Sequence, residues 1–200
     1  MNTTALEFAP KVGFGPEMDE QKLVRLSQEG DSDAFATLYE TYSERIYRYI
    51  YFRTADVQIA EDIASQVFLK TWEKLASFKV GSSPFIAWLY RIAHNAVIDS
   101  YRTKKVSVRL DDINPAEISH DDGIDEKLDR QTDSRRLREA LRELTDDQQE
   151  VLMLKFMGGL STREIAGHLG KQQGAVRALQ MRALQGLAKC PQLRQPQIFE

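Results

Sequence analysis

The 200-residue sequence predicts an all-α protein of two small helical domains joined by an acidic flexible linker, the second domain a helix-turn-helix. Three observations predict it. Apolar residues recur at three- and four-residue spacing through both ordered stretches, and no segment sustains the alternation of a strand. Between them lies a segment too acidic and too poor in apolar side chains to build a core. Near the end, a short capped helix, a glycine turn and a longer basic helix follow one another.

Residues 1–18 hold Pro10, Gly13, Gly15 and Pro16 without a sustained period and read as a mobile tail. A first domain is expected over 19–105. Leu23 and Leu26, then Phe35, Leu38, Tyr42, Ile46, Tyr49 and Ile50, mark two helices. Gly30 and Asp31 separate them, and Asp31 or Ser32 is a natural N-cap. A third helix is expected from about Val57 to Leu75, with Ile59, Ile63, Val67, Phe68 and Trp72 facing inward. Gly81-Ser82-Ser83-Pro84 is a loop, and a fourth helix runs from Phe85 to about Arg102.

The linker spans 106–133, where Pro115 and Gly123 punctuate a charge of −6. The second domain, 134–189, begins with Leu137, Ala140, Leu141 and Leu144 at helical spacing. Thr145 with Gln148, and Ser161 with Glu164, are two capping-box starts. Gly158-Gly159 stops the helix opened by the first box, and Gly170 stands where the second helix needs a C-terminal cap. The last helix runs from about Gln173 to Lys189, and residues 190–200 form a tail.

Charge is distributed in a way that the overall −3 conceals. Residues 85–105 carry +3 and residues 160–189 carry +4, on either side of the acidic segment. Two basic patches on candidate reading helices point to nucleic acid, although a charged run by itself also serves as a solvated helix face. Cys190 is the lone cysteine, which excludes an internal disulfide and a cysteine-based zinc site. No apolar run reaches the roughly 18 residues of a membrane span. MNTTALEFAP lacks the pattern of a secretory signal, so a cytoplasmic protein without membrane insertion is expected.

Two constellations carry the functional reading. In LSTREIAGHLGKQQGAVRALQMRAL, successive side chains turn by 100°, which puts Val176, Leu179, Ala183 and Leu187 on one face, able to pack on Ile165 and Leu169. Arg177, Ala178, Met181, Arg182 and Gln185 fall on the other, where arginine or glutamine can pair with base edges and Ala or Met can meet a thymine methyl. The plainer alternative is a helical hairpin with a solvated basic face. In SSPFIAWLYRIAHNAVIDSYRTKK, Trp88, Arg91, Asn95 and Arg102 lie within about 60° of one another. An aromatic ring, an amide and two guanidinium groups suit an unstacked base and its phosphates. A tryptophan there also suits a core, and Asn95 and Asp99 also suit local hydrogen bonds.

GDSDAFATLYETYSERIYRYI, AEDIASQVFLKTWEKLASF and FIAWLYRIAHNAVIDSYR resemble successive helices of the promoter-melting domain of extracytoplasmic-function sigma factors, sigma-70 family. The pattern W-L-x-x-I-A-x-N-x-x-x-D-x-x-R stands here as Trp88, Leu89, Ile92, Ala93, Asn95, Asp99 and Arg102. LRELTDDQQEVLMLKFMGGLSTREIAGHLGKQQGAVRALQMRAL resembles the family's promoter-binding C-terminal domain. The resemblance implies a promoter-reading subunit of bacterial RNA polymerase. Its partners would be core RNA polymerase and promoter DNA, with room for an anti-sigma factor as a third. Asp62, Gln66 and Phe68 would dock on the polymerase clamp. Phe78, Lys79 and the loop after them, with Trp88, Arg91, Asn95 and Arg102, would capture the melted minus-ten element. The last helix would read the minus-thirty-five element through Arg177, Ala178, Met181, Arg182 and Gln185. Departures from the family pattern stand at Ser65-Gln66 in the clamp-facing helix and at Leu179 and Gln180 in the reading helix.

Three other readings compete. A repressor or activator using only the helix-turn-helix leaves the first domain unexplained. A helical adaptor would lack the outward basic residues of the last helix. An enzyme is disfavoured because His94, His120 and His168 stand apart and no phosphate loop, nucleophile elbow or H-E-x-x-H pattern occurs. No catalytic residue, metal or cofactor is expected.

Overall fold

A computed structural model describes residues 19–108 and 136–193. All regular structure among them is helical. The chain forms two compact units divided between Ile118 and Ser119. The tail expected over 1–18, the acidic segment from 109 to 133 and the residues beyond 193 lie outside the described residues.

The first unit is built from α1 (Glu20–Gln28), α2 (Ser32–Thr54), α3 (Val57–Lys74) and α4 (Phe85–Val108). Asp19, Asp31 and Asp56 each cap a helix by accepting backbone N–H groups, Asp31 from both Asp33 and Ala34. Between α2 and α3 the turn is made by Ala55 in the left-handed region, φ 55°. Leu38, Ile46, Tyr49, Ile50, Ile63, Val67, Leu89, Tyr90 and Val97 fill the core, drawn from the apolar stripes of α2, α3 and α4. Buried Ser27 and Thr71 return their hydroxyl protons to the carbonyls of Leu23 and Val67, so neither leaves a polar group unmade.

One helix limit and one side chain differ from the sequence reading. α4 continues to Val108, three residues into the stretch assigned to the linker, because TKKVSV contains neither glycine nor proline to end it. Trp72 is 40% exposed, not inward. Its ring meets Phe35 edge-on at 4.8 Å on the rim of the α2–α3 packing, and buried Thr71 takes the core-facing position.

α1 does more than cover the core. Gln28 Nε2 donates to the carbonyls of Leu75 at 2.9 Å and Phe78 at 2.7 Å, where α3 ends in a short 3₁₀ turn. Glu20 Oε1 accepts the Phe85 backbone N–H at 2.9 Å, satisfying a donor in the first turn of α4 that has no partner within its own helix. The loop from Phe78 to Pro84 is therefore fastened at both ends by one helix.

The second unit contains α5 (136–142), α6 (Asp146–Leu152), α7 (Thr162–Leu169) and α8 (Gln173–Lys189). At the start of α6 the Thr145 N–H donates to Gln148 Oε1 at 3.1 Å. α6 passes directly into a π turn, Met153–Met157, before the glycine pair ends it. The Ser161–Glu164 capping box is complete, with hydrogen bonds of 2.6 and 3.3 Å. Gly170 adopts φ 62°, the left-handed cap its place implied.

Candidate nucleic-acid interface

The turn between α7 and α8 sets how α8 is presented. Val176 and Ala183 on α8 are fully buried. Ala183 packs in a cluster with Leu144 and Leu152, flanked by Leu141 and Leu187. Gly186 lies so close to this cluster that an added Cβ would stand 2.8 Å from Leu144 Cδ2. That seating turns Arg177, Met181, Arg182 and Gln185 outward, and Met181 is 56% exposed. Ala178, Leu179 and Gln180 are half-buried. Beneath the helix-turn-helix, Glu150 of α6 and His168 of α7 form a buried pair 3.0 Å apart. Lys171 in the turn meets Asp147 at 3.0 Å. The outward arginines can reach a major groove without disturbing a buried residue.

In the first unit the expected stripe divides. Asn95 and Arg102 are exposed and line a cleft of about 490 Å³ between α3 and α4. Arg91 is exposed but does not line it. Trp88 is half-buried, its ring 5.1 Å from that of Phe78 and 5.7 Å from that of Phe85. Phe78 is buried and T-shaped against Phe85 at 5.4 Å, so it anchors the loop instead of projecting from it. Lys79 is exposed beside it, and its carbonyl accepts the Ser82 N–H and hydroxyl. Arg102 Nη1 lies 4.0 Å from Asp99 Oδ1, both side chains well exposed, a pairing too weak to hold either away from a ligand.

The clamp-facing set divides too. Asp62 and Gln66 are exposed on α3, whereas Phe68 is buried against Tyr39, ring centroids 4.7 Å apart. The sequence reading missed Leu69, 60% exposed, together with Tyr39 and Trp72. It also missed Lys70 and Lys74, which form the α3 side of the cleft. The i, i+4 spacing of the two lysines was the available signal.

Comparison with known proteins agrees with this layout. Residues 38–106 match the family model for Sigma-70 region 2, and residues 134–187 match that for Sigma-70, region 4. The ECF RNA polymerase sigma factor SigW of Bacillus subtilis is 31% identical over 186 residues, covering 86% of this chain and 97% of SigW. The ECF RNA polymerase sigma factor BldN of Streptomyces coelicolor is 37% identical over 173 residues, covering 84% of this chain and 64% of BldN. The fold resembles that of the sigma factor RpoE from Bartonella quintana, solved in complex with the anti-sigma factor NepR. That likeness has a TM-score of 0.66 at 23% identity and covers 80% of this chain and 98% of the other. No helix among the described residues is long and apolar enough to cross a membrane. The relatives are not enzymes by family. With both matched regions in order and SigW aligned over nearly its whole length, the chain belongs to the ECF RNA polymerase sigma factors of the sigma-70 family, whose work is promoter-specific transcription initiation.

Proposed function

We propose that this protein binds core RNA polymerase and directs it to promoters, with the labour divided between its units. Residues 19–105 act as the polymerase-binding and minus-ten domain, 106–133 as the linker, and 134–189 as the minus-thirty-five domain. The observation that carries the reading is the seating of α8: Val176 and Ala183 are sealed in the core while Arg177, Met181, Arg182 and Gln185 face out. Arginine and glutamine there suit guanine and adenine edges in a major groove. Asn95 and Arg102, in the α3–α4 cleft, are assigned to the melted minus-ten strand, with Lys79 on the adjoining loop. Phe78 and Trp88 support that site by fixing the loop against α4, and Arg91 contributes long-range charge.

For polymerase docking the exposed side of α3 supports Asp62, Gln66, Leu69 and Trp72, with Phe68 stiffening it from beneath. An anti-sigma factor, the kind of protein bound by the Bartonella quintana relative, is a third partner in this reading. Opening the duplex needs no bond chemistry. Held bases trap a thermally opened state at a few kcal/mol of unstacking each. The test is reconstitution with bacterial core polymerase. Initiation from defined genomic sites is expected, and site-specific DNA binding without any association with core polymerase would favour an independent repressor.

A further inference from the structure

The two walls of the α3–α4 cleft differ in chemistry. α3 contributes Lys70 and Lys74 alone, whereas α4 contributes His94, Asn95, Asp99 and Arg102 with apolar Ile92 and Ile98 among them. Asp99 is the one acid among the described lining residues, and it stands beside Arg102. The two lysines are one helical turn apart and lie about 80° around α3 from the Asp62–Gln66 line. Lys70 is half-buried, as a lysine is when its alkyl stem covers apolar surface and its ammonium stays in water. Lys74 is exposed at the mouth. An all-cation wall suits phosphates, which carry no sequence information, and a wall of imidazole, amide, carboxylate and guanidinium suits a base edge.

We propose that Lys70 and Lys74 hold the sugar-phosphate backbone of the melted non-template strand, while the α4 wall meets its bases. This deepens the minus-ten reading and rests on it. One helix then serves two partners, polymerase along one face and the opened strand along the next. The lysines act without discriminating sequence, as compact point charges on flexible stems.

The experiment uses holoenzyme assembled from full-length chain and core polymerase. Its probes are fluorescent oligothymidylate and a single strand carrying the non-template sequence of the strongest promoter the holoenzyme uses in vitro. Each lost phosphate contact lowers the log–log salt slope by about 0.7 on single-stranded DNA. Lys70→Gln/Lys74→Gln should therefore lower the slope by about 1.4 and weaken both probes about 25-fold at 0.1 M salt, relative to convergence at 1 M. The affinity ratio between the two probes and the affinity for core polymerase should stay at wild-type values. Lys70→Arg/Lys74→Arg should retain the slope. An unchanged slope in the glutamine variant, with wild type binding the strand, overturns the assignment. Loss of core-polymerase affinity overturns it as well and gives the lysines to the docking face. If wild-type holoenzyme binds neither strand, the minus-ten reading itself falls.

Discussion

Burial, then the neighbouring Glu20 carboxylate and its hydrogen bond, hold the Tyr42 phenol protonated far above the ordinary tyrosine range, with Arg45 opposing them weakly. Burial, Glu61 and Tyr51 push Tyr47 in the same direction. In the unfolded chain these phenols ionise near pH 10, so above that pH the unfolded state binds fewer protons than the folded one. Their contribution is whole below about pH 10 and is lost as pH rises beyond it. Urea midpoints should fall above about pH 10, and Tyr42→Phe should flatten that fall, leaving a smaller decline due to Tyr47. An equally steep decline in the variant would place the coupling elsewhere. The exposed arginines of α8 make a different prediction. Arg177→Ala or Arg182→Ala should weaken promoter binding by about 1–3 kcal/mol if the contact is bidentate to guanine. A phosphate contact would instead lower affinity for all sequences and reduce the salt slope. Wild-type transcription from both variants would remove this face from the interface.

Helices α7 and α8 show how much an element's neighbours matter. Gly167 on α7 has open space where a side chain would go, so Gly167→Ala should stabilise the protein by about 0.5–1 kcal/mol. Gly186 on α8 does not, and Gly186→Val should cost about 1–3 kcal/mol as Leu144 is displaced from its cluster. Thermal melting of the two variants should move in opposite directions, and a stabilised Gly186→Val would mean the α6–α8 packing is looser than it stands. The helix-turn-helix was legible because its signals are local: Ser161 and Glu164 three apart, Gly170 at the cap, apolar residues at helical spacing. Legible for the same reason were the Gly30 break and the Asp31 cap. Phe68 was assigned correctly to the core, but Trp72 was not assigned to the surface, because adjacent faces of one helix differ by a partner helix that periodicity does not reveal. Nor was the role of Phe78 visible, since its burial depends on Phe85, Trp88 and the distant Gln28. The Lys70–Lys74 wall needed α4 beside it to become a site.

For the whole molecule, the proposed division of the work between two units implies that single variants act on separate steps. Asn95→Ala should leave closed-complex binding nearly intact, because duplex recognition is assigned to α8. It should lower the open fraction by about 1–3 kcal/mol, the worth of one base contact. Permanganate reactivity of unpaired thymines reports that fraction, and a premelted bubble should rescue most of the loss. Normal reactivity on duplex DNA would remove Asn95 from the site, and equal loss of closed complex would make it a support of the fold. α1 adds a consequence of another kind. The matched Sigma-70 region 2 begins at residue 38, yet both fastenings of the Phe78–Pro84 loop come from Glu20 and Gln28. A fragment trimmed to the matched residues would keep the region 2 match and lose the clasp. Its loop would have to be ordered by DNA at the moment of capture, and that ordering entropy would come out of affinity. The boundary of the recognisable family and the boundary of the working device are eighteen residues apart or more, and only the outer one delivers the loop ready shaped.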